Sequence, residues 1–172
     1  CGKCLTVCPL KEAQKPQPYC RYYGAHSLDR KIRERSSSGG IFSLLAEYVL
    51  KRSGSVFAVG FGENMKVTHK EIRTYEEIDL VRRSKYVQSD PGTTFCGIKE
   101  RLLSGSWVLF VGTPCQAEAL LLYLGRPYSR MYFKNLIIRP ACFRCRYCRP
   151  QRNSDLTLGD FWGLERIRRD LD

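Results

Sequence analysis

The apolar runs of this sequence are short and no signal-peptide pattern is visible, so no membrane span is expected. A chain that reads as starting inside a motif leaves the question of a leader open. Histidine is scarce: His26 and His69 are the only two, and neither stands in a metal-ligand spacing. No serine, histidine and aspartate arrangement supports nucleophilic hydrolysis, and no Walker-type loop signals a nucleoside triphosphatase. A recognition helix and an aromatic RNA motif are also missing. Internal repeats and low-complexity tracts are absent as well, which excludes a solenoid.

What is present is enough for one ordinary domain with an appendage: 172 residues, 43% of them hydrophobic. Nine cysteines, an odd number, argue against a disulfide framework and for a reducing, cytoplasmic setting in which thiolates hold metal. The formal charge is +12, with basic stretches at 30–35 and 139–152. Such an excess suits nucleic acid, but it equally suits a pyrophosphate, an anionic coenzyme or acidic partner proteins. With no recognition motif, nucleic acid is the lesser reading.

Cys1, Cys4 and Cys8, followed by Pro9, give C-x2-C-x3-C-P, the last part of the run that wraps a [4Fe-4S] cluster in bacterial ferredoxins. The missing first cysteine would lie three residues before Cys1, so the sequence reads as a fragment beginning inside the motif. A zinc site or chance spacing is the alternative. Cys142, Cys145 and Cys148 give C-x2-C-x2-C, with Arg152 at the fourth position, so a distant thiolate must complete that set. Cys115, Cys20, Cys96 and Cys8 are candidates, and a zinc knuckle is the alternative.

Between these cysteine segments the pattern is α/β. Residues 15–18, with two prolines, mark a linker. A largely buried helix is expected over 41–51, ended near Gly54, then strands over 55–60 and 66–72 forming a hairpin through Gly62, Glu63 and Asn64. Residues 74–83 read as a helix capped from Thr74, and 93–103 as an amphipathic helix. The continuous apolar run 107–111 is expected to be a central strand covered on both faces, with a helix over 116–124. Residues 155–163 offer a short strand and an aromatic turn. The expected fold is a mixed or mostly parallel sheet flanked by helices.

Two turns carry chemistry. Ser36, Ser37, Ser38, Gly39 and Gly40 sit where a helix begins, so backbone N–H groups, hydroxyls and the positive end of the helix dipole meet at a spot suited to phosphate. A plain N-cap would look the same. Gly112, Thr113, Pro114, Cys115 and Gln116 follow a buried strand at its carboxyl end, where open α/β sheets place ligands. Pro114 fits the first helical turn, Thr113 can cap it, and the helix dipole would favour the Cys115 thiolate; an inert cysteine is the alternative. The stretch 84–89 (SKYVQS) offers ligand contacts or a solvated loop.

In order, CGKCLTVCP, SSSGGIFSLLAEYVLK, RRSKYVQSD, VLFVGTPCQAEALLLYLG, RPACFRCRYC and SDLTLGDFWG resemble the beta-subunit family of coenzyme F420-reducing hydrogenases and dehydrogenases. The resemblance spans nearly the whole chain. It implies an iron-sulfur flavoprotein oxidoreductase subunit that passes electrons between [4Fe-4S] clusters and FAD, the flavin exchanging hydride with a deazaflavin, coenzyme F420, or another substrate. It implies that Ser38, Gly39 and Gly40 lie near the flavin phosphates, with Ser84, Lys85, Tyr86 and Gln88 around the pocket; the two turns add Ser37, Gly112 and Thr113 as candidate cofactor contacts. Cys115, Cys142 and Cys145 would ligate an inner cluster, and Cys1, Cys4 and Cys8 a ferredoxin-like one. Cys148 is less typical, and a role in replacing a lost thiolate is open to it. A ferredoxin or hydrogenase-like redox partner is implied.

One departure stands out. Relatives carry a substantial stretch between the helix after GTPCQ and the RPxCxxC block, whereas here Tyr128 runs almost straight into that region. The expected organisation is therefore a partial ferredoxin-like segment and linker (1–30), an α/β flavin-binding domain (31–128) and an incomplete cysteine-rich segment (129–172). The rival readings are a non-enzymatic electron-transfer or assembly subunit and a zinc-binding basic nucleic-acid module.

Overall fold

A computed structural model describes residues 23–124 together with the backbone of 134–135 and 157–158. The linker and both expected cysteine modules, including Cys1, Cys4, Cys8, Cys20, Cys142, Cys145 and Cys148, lie outside the described residues. Helix α1 (Arg30–Glu34) is one short turn capped by Asp29, whose side chain accepts from the Lys31 N–H at 2.8 Å. Helix α2 (Ile41–Leu50) follows, and a turn over 51–54 sends the chain back into strand β1 (Ser55–Phe61). A short 3-10 turn at Glu63–Met65 leads to β2 (Val67–Ile72), then come α3 (Ile78–Val81), α4 (Thr94–Leu103), β3 (Val108–Phe110) and α5 (Pro114–Leu124).

The sheet order is β2-β1-β3, with β1 antiparallel to β2 and parallel to β3. The expected hairpin and mixed sheet are both present. The expectation for 107–111 needs correction: β1 is the central strand of this sheet, and β3 is an outer one among the described residues. A continuous apolar run reports burial of both faces, which β3 has, and says nothing of how many neighbours pair with it. Two further short strands, β4 (Lys134–Asn135) and β5 (Thr157–Leu158), pair in parallel; β5 falls inside the 155–163 stretch, where a short strand and an aromatic turn were expected.

Alternation along the strands divides the core into two layers, one on each face of the sheet. Phe57, Val108 and Phe110 point to one face, where they pack with Ile98 and Leu102 of α4 and Ala117, Leu120, Leu121 and Leu124 of α5. Val56, Ala58 and Leu109 point to the other, against Ala46 and Val49 of α2 and Ile78 and Val81 of α3. This is a three-layer α/β arrangement with helices on both faces.

His69 lies on the α5 face. Its ring stacks on Phe110 with centroids 5.2 Å apart, and its Nε2 lies 3.1 Å from the Val111 carbonyl oxygen. Burial holds the imidazole below its ordinary pKa, against the opposing pull of the Val111 and Asp90 carbonyls and the Asp90 charge. In the unfolded chain this histidine takes up its proton near pH ~6.5, whereas the folded protein accepts it only at lower pH. Its contribution to stability is therefore complete above that value and is lost as pH falls towards the depressed one. Unfolding midpoints measured between about pH 7.5 and 5 should fall more for the wild-type chain than for His69→Phe, which keeps the stack without the titration. Parallel profiles would refute this role.

Candidate functional site

Because the turn over 51–54 reverses the chain between α2 and β1, the start of α2 and the finish of β1 lie at one end of the layer. Being parallel to β1, β3 also finishes there, and so the carboxyl ends of both strands meet the start of α2. Three sequence-distant candidate segments gather at this end.

The serine-glycine segment enters α2 through Gly40, which is left-handed (φ 80°), and no side chain caps the helix. Among the described residues the first amides of α2 thus have no side-chain partner, as a phosphate site requires. The glycines, however, are demanded by the chain itself. A Cβ on Gly39 would stand 2.7 Å from the Ala25 carbonyl oxygen, and one on Gly40 would stand 2.9 Å from Ile32 Cγ2. Close packing of this segment against 25–27 and α1 accounts for both. Ser37 and Ser38 are exposed, and Ser37 Oγ accepts a hydrogen bond of 2.8 Å from the Ser84 N–H.

That bond anchors one end of the 84–89 loop. At the other end, Gln116 Nε2 donates to Ser89 Oγ at 3.0 Å, tying the loop to α5. Gln116 also takes the Thr113 N–H on its Oε1 at 2.9 Å. Thr113, Pro114, Cys115 and Gln116 thus occupy the N-cap to N3 positions of α5, with the glutamine half of a capping box formed. Thr113 Oγ1 lies 3.2 Å from Cys115 Sγ rather than bonding a helix amide, and the Cys115 thiol is exposed. Gly112 is buried beneath them.

Between its anchors the loop presents Tyr86, 72% exposed, with Val87 and Gln88 exposed beside it. Lys85 turns the other way. It is only 6% exposed, and its Nζ donates to the carbonyl oxygens of Arg82 (2.6 Å) and Arg83 (3.0 Å). Burial alone lowers its pKa to about 8. Lys85 therefore shapes the site by fixing the turn out of α3 rather than by projecting from it.

The candidate residues Ser37, Ser38, Ser84, Tyr86, Gln88, Thr113 and Cys115 are gathered at one end of the sheet, with Gly39, Gly40, Gly112 and Lys85 packed behind them. Among the described residues no group of three or more His, Cys, Asp or Glu side chains could hold a metal ion; of the candidate cluster thiols they include Cys115 and Cys96, and Cys96 Sγ lies 3.4 Å from the Tyr123 hydroxyl. Sequence reasoning missed Arg35, Asp79, Arg82 and Arg83, which line an open cavity of about 370 Å³ beside the Ser37–Ser84 contact. The adjacent arginines before the 84–89 loop were the available signal.

Residues 22–93 match the family described as coenzyme F420 hydrogenase/dehydrogenase, beta subunit N-term. No curated protein matches the chain by sequence. Twelve solved chains resemble it. One belongs to the xenon-derivatised F420-reducing [NiFe] hydrogenase complex from Methanosarcina barkeri, with a TM-score of 0.52 and 21% identity over 76% of this chain and 51% of that one. The present chain thus spans about half the length of that solved relative, and the likeness is one of fold. No helix among the described residues is long and apolar enough to cross a membrane.

Proposed function

We propose, from the match of residues 22–93 to the coenzyme F420 hydrogenase/dehydrogenase beta-subunit family, that the chain is the flavin-binding part of an iron-sulfur oxidoreductase subunit. The observation that carries this reading is the convergence of the serine-glycine, 84–89 and 112–116 segments at the carboxyl ends of β1 and β3, joined by the Ser37–Ser84 and Ser89–Gln116 hydrogen bonds. The donor set fits FAD: exposed hydroxyls of Ser37, Ser38 and Ser84, the Gln88 amide and the Tyr86 ring stand beside a helix start without a side-chain cap.

When bound, FAD would supply two-electron hydride chemistry and a [4Fe-4S] cluster single-electron transfer, with coenzyme F420 or another small molecule as the hydride partner. The chain's own residues bind and orient. Ser37, Ser38 and the first amides of α2 would receive phosphate oxygens, and Tyr86 and Gln88 would border the ring system. Lys85 would keep the 82–84 turn in the shape that presents Ser84. Cys115, with its exposed thiol at the start of α5, would join Cys142 and Cys145 around an inner cluster, while Cys1, Cys4 and Cys8 would hold a second. In this proposal residues 31–128 form the flavin-binding unit, the partner is a ferredoxin or hydrogenase-like subunit, and the setting is cytoplasmic.

Anaerobic purification and one absorption spectrum test the proposal. Flavin bands on a broad iron-sulfur shoulder are expected. A shoulder without flavin would replace it with a non-enzymatic electron-transfer or assembly role, and a colourless zinc protein would replace it with a basic nucleic-acid module.

A further inference from the structure

The cavity beside the Ser37–Ser84 contact holds more positive charge than its own residues neutralise. Arg35, Arg82 and Arg83 line it with a single carboxylate, that of Asp79. Asp79 is shared: Arg35 Nη2 bonds one carboxylate oxygen, and Arg82 Nε lies 3.1 Å from the other. Arg83 Nε donates to the Arg35 carbonyl oxygen at 3.2 Å, and its charge has no ion-pair partner among the described residues.

Arg82 is the unusual member. It is 7% exposed, its Nε contact with Asp79 lacks hydrogen-bond geometry, and its Nη1 is buried without a hydrogen-bond partner among the described residues. A buried donor left unmatched is costly and uncommon in native structures, and it calls for an acceptor. Burial first, then the like charge of Arg35 and, more weakly, that of Arg83, hold its pKa below the ordinary guanidinium value. Backbone conformation is committed to the same end. Arg83 is left-handed (φ 72°), which a non-glycine residue adopts only where its surroundings hold it. Here Lys85 Nζ binds the carbonyl oxygens on both sides of that turn, and Ser37 Oγ takes the next N–H.

We propose that the cavity between Arg35, Arg82 and Arg83 binds a phosphate or pyrophosphate group, with Arg82 as the principal contact. Guanidinium forks match two phosphate oxygens at once, and a dianion would offset the two charges that Asp79 leaves uncompensated. The cavity has room for the phosphate and part of the molecule that carries it. A neutral or apolar ligand would leave both the excess charge and Arg82 Nη1 unsatisfied.

Inorganic pyrophosphate is the probe, so the site stands or falls apart from whether the chain holds a flavin. Titration calorimetry on the full chain should show binding that Arg82→Gln weakens by about tenfold or more, the loss expected for one charge-assisted hydrogen bond. Arg30→Gln removes the same charge from an exposed residue outside the cavity and should change affinity by less than about twofold. Arg83→Gln, at an exposed position on the same cavity, gives a second reading should the buried substitution impair folding. Displacement of pyrophosphate by FAD would place a flavin phosphate here, and undiminished binding to flavin-loaded protein would place the phosphate of a second ligand here. Absence of pyrophosphate binding, or equal losses in the Arg83→Gln and Arg30→Gln proteins, would overturn the site.

Discussion

Replacing Phe110 with alanine is expected to lower the unfolding free energy by about 3–5 kcal/mol, the range for deleting a fully buried aromatic ring. Phe110 has 0% exposure and closes β3 against two partners: His69 stacks on it, and Phe95 meets it edge-on with centroids 6.1 Å apart. Neither partner can collapse into the space, because His69 is held on the Val111 carbonyl and Phe95 belongs to α4. Urea unfolding of the two proteins measures the difference. The same cavity would open beside Gly112 and the Thr113–Gln116 cap, so the flavin binding proposed above should weaken along with stability. A loss below about 1 kcal/mol would show that the α5 face is not packed as described.

The second large effect concerns alkaline pH. Lys85 has a folded pKa near 8 because its ammonium is buried, while in the unfolded chain it returns to about 10.4. Between these values the unfolded state binds the extra proton, so stability rises with pH through that window. The cost of burying the charge is complete below pH ~8 and is relieved by about pH 10.4. The neutral amine still has N–H groups for the Arg82 and Arg83 carbonyl oxygens, so those hydrogen bonds survive the titration. Relative to Lys85→Met, the wild-type protein should gain on the order of 3 kcal/mol across the window. Unfolding free energies of both proteins at several pH values would measure this, and a flat difference would show that Lys85 is charged and compensated throughout.

The regular elements were largely legible because their signals are local. The apolar circumference of 41–51 and the glycine-bounded hairpin strands need no tertiary knowledge, and α2, β1 and β2 match them closely. The helix expected over 74–83 shrank to α3, Ile78–Val81. Thr74 is not its cap; the Glu77 carboxylate takes the N–H groups of Arg73 and Thr74 and so stabilises a turn where the helix was expected to begin. At the candidate site, sequence marked which segments carry chemistry but not what their residues do. Glycine at 39 and 40 looked like an open cradle and proves to be close packing, because the atoms of Ala25 and Ile32 that demand it come from elsewhere in the chain. The arginine cluster was hidden for the same reason: Arg35 and Arg83 are 48 positions apart, and their contact depends on how α2 and α3 cover one face of the sheet.

That sheet also sets an order of events for a chain emerging during synthesis. β1 finds its antiparallel neighbour within a short turn, but its parallel neighbour β3 begins 47 positions after β1 ends. Until that stretch is made, the Val56 edge of an almost wholly buried strand has nothing to pair with. An exposed strand edge of this kind invites another copy of itself. The newborn protein is therefore most prone to stick to its siblings in the interval between its second strand and its third.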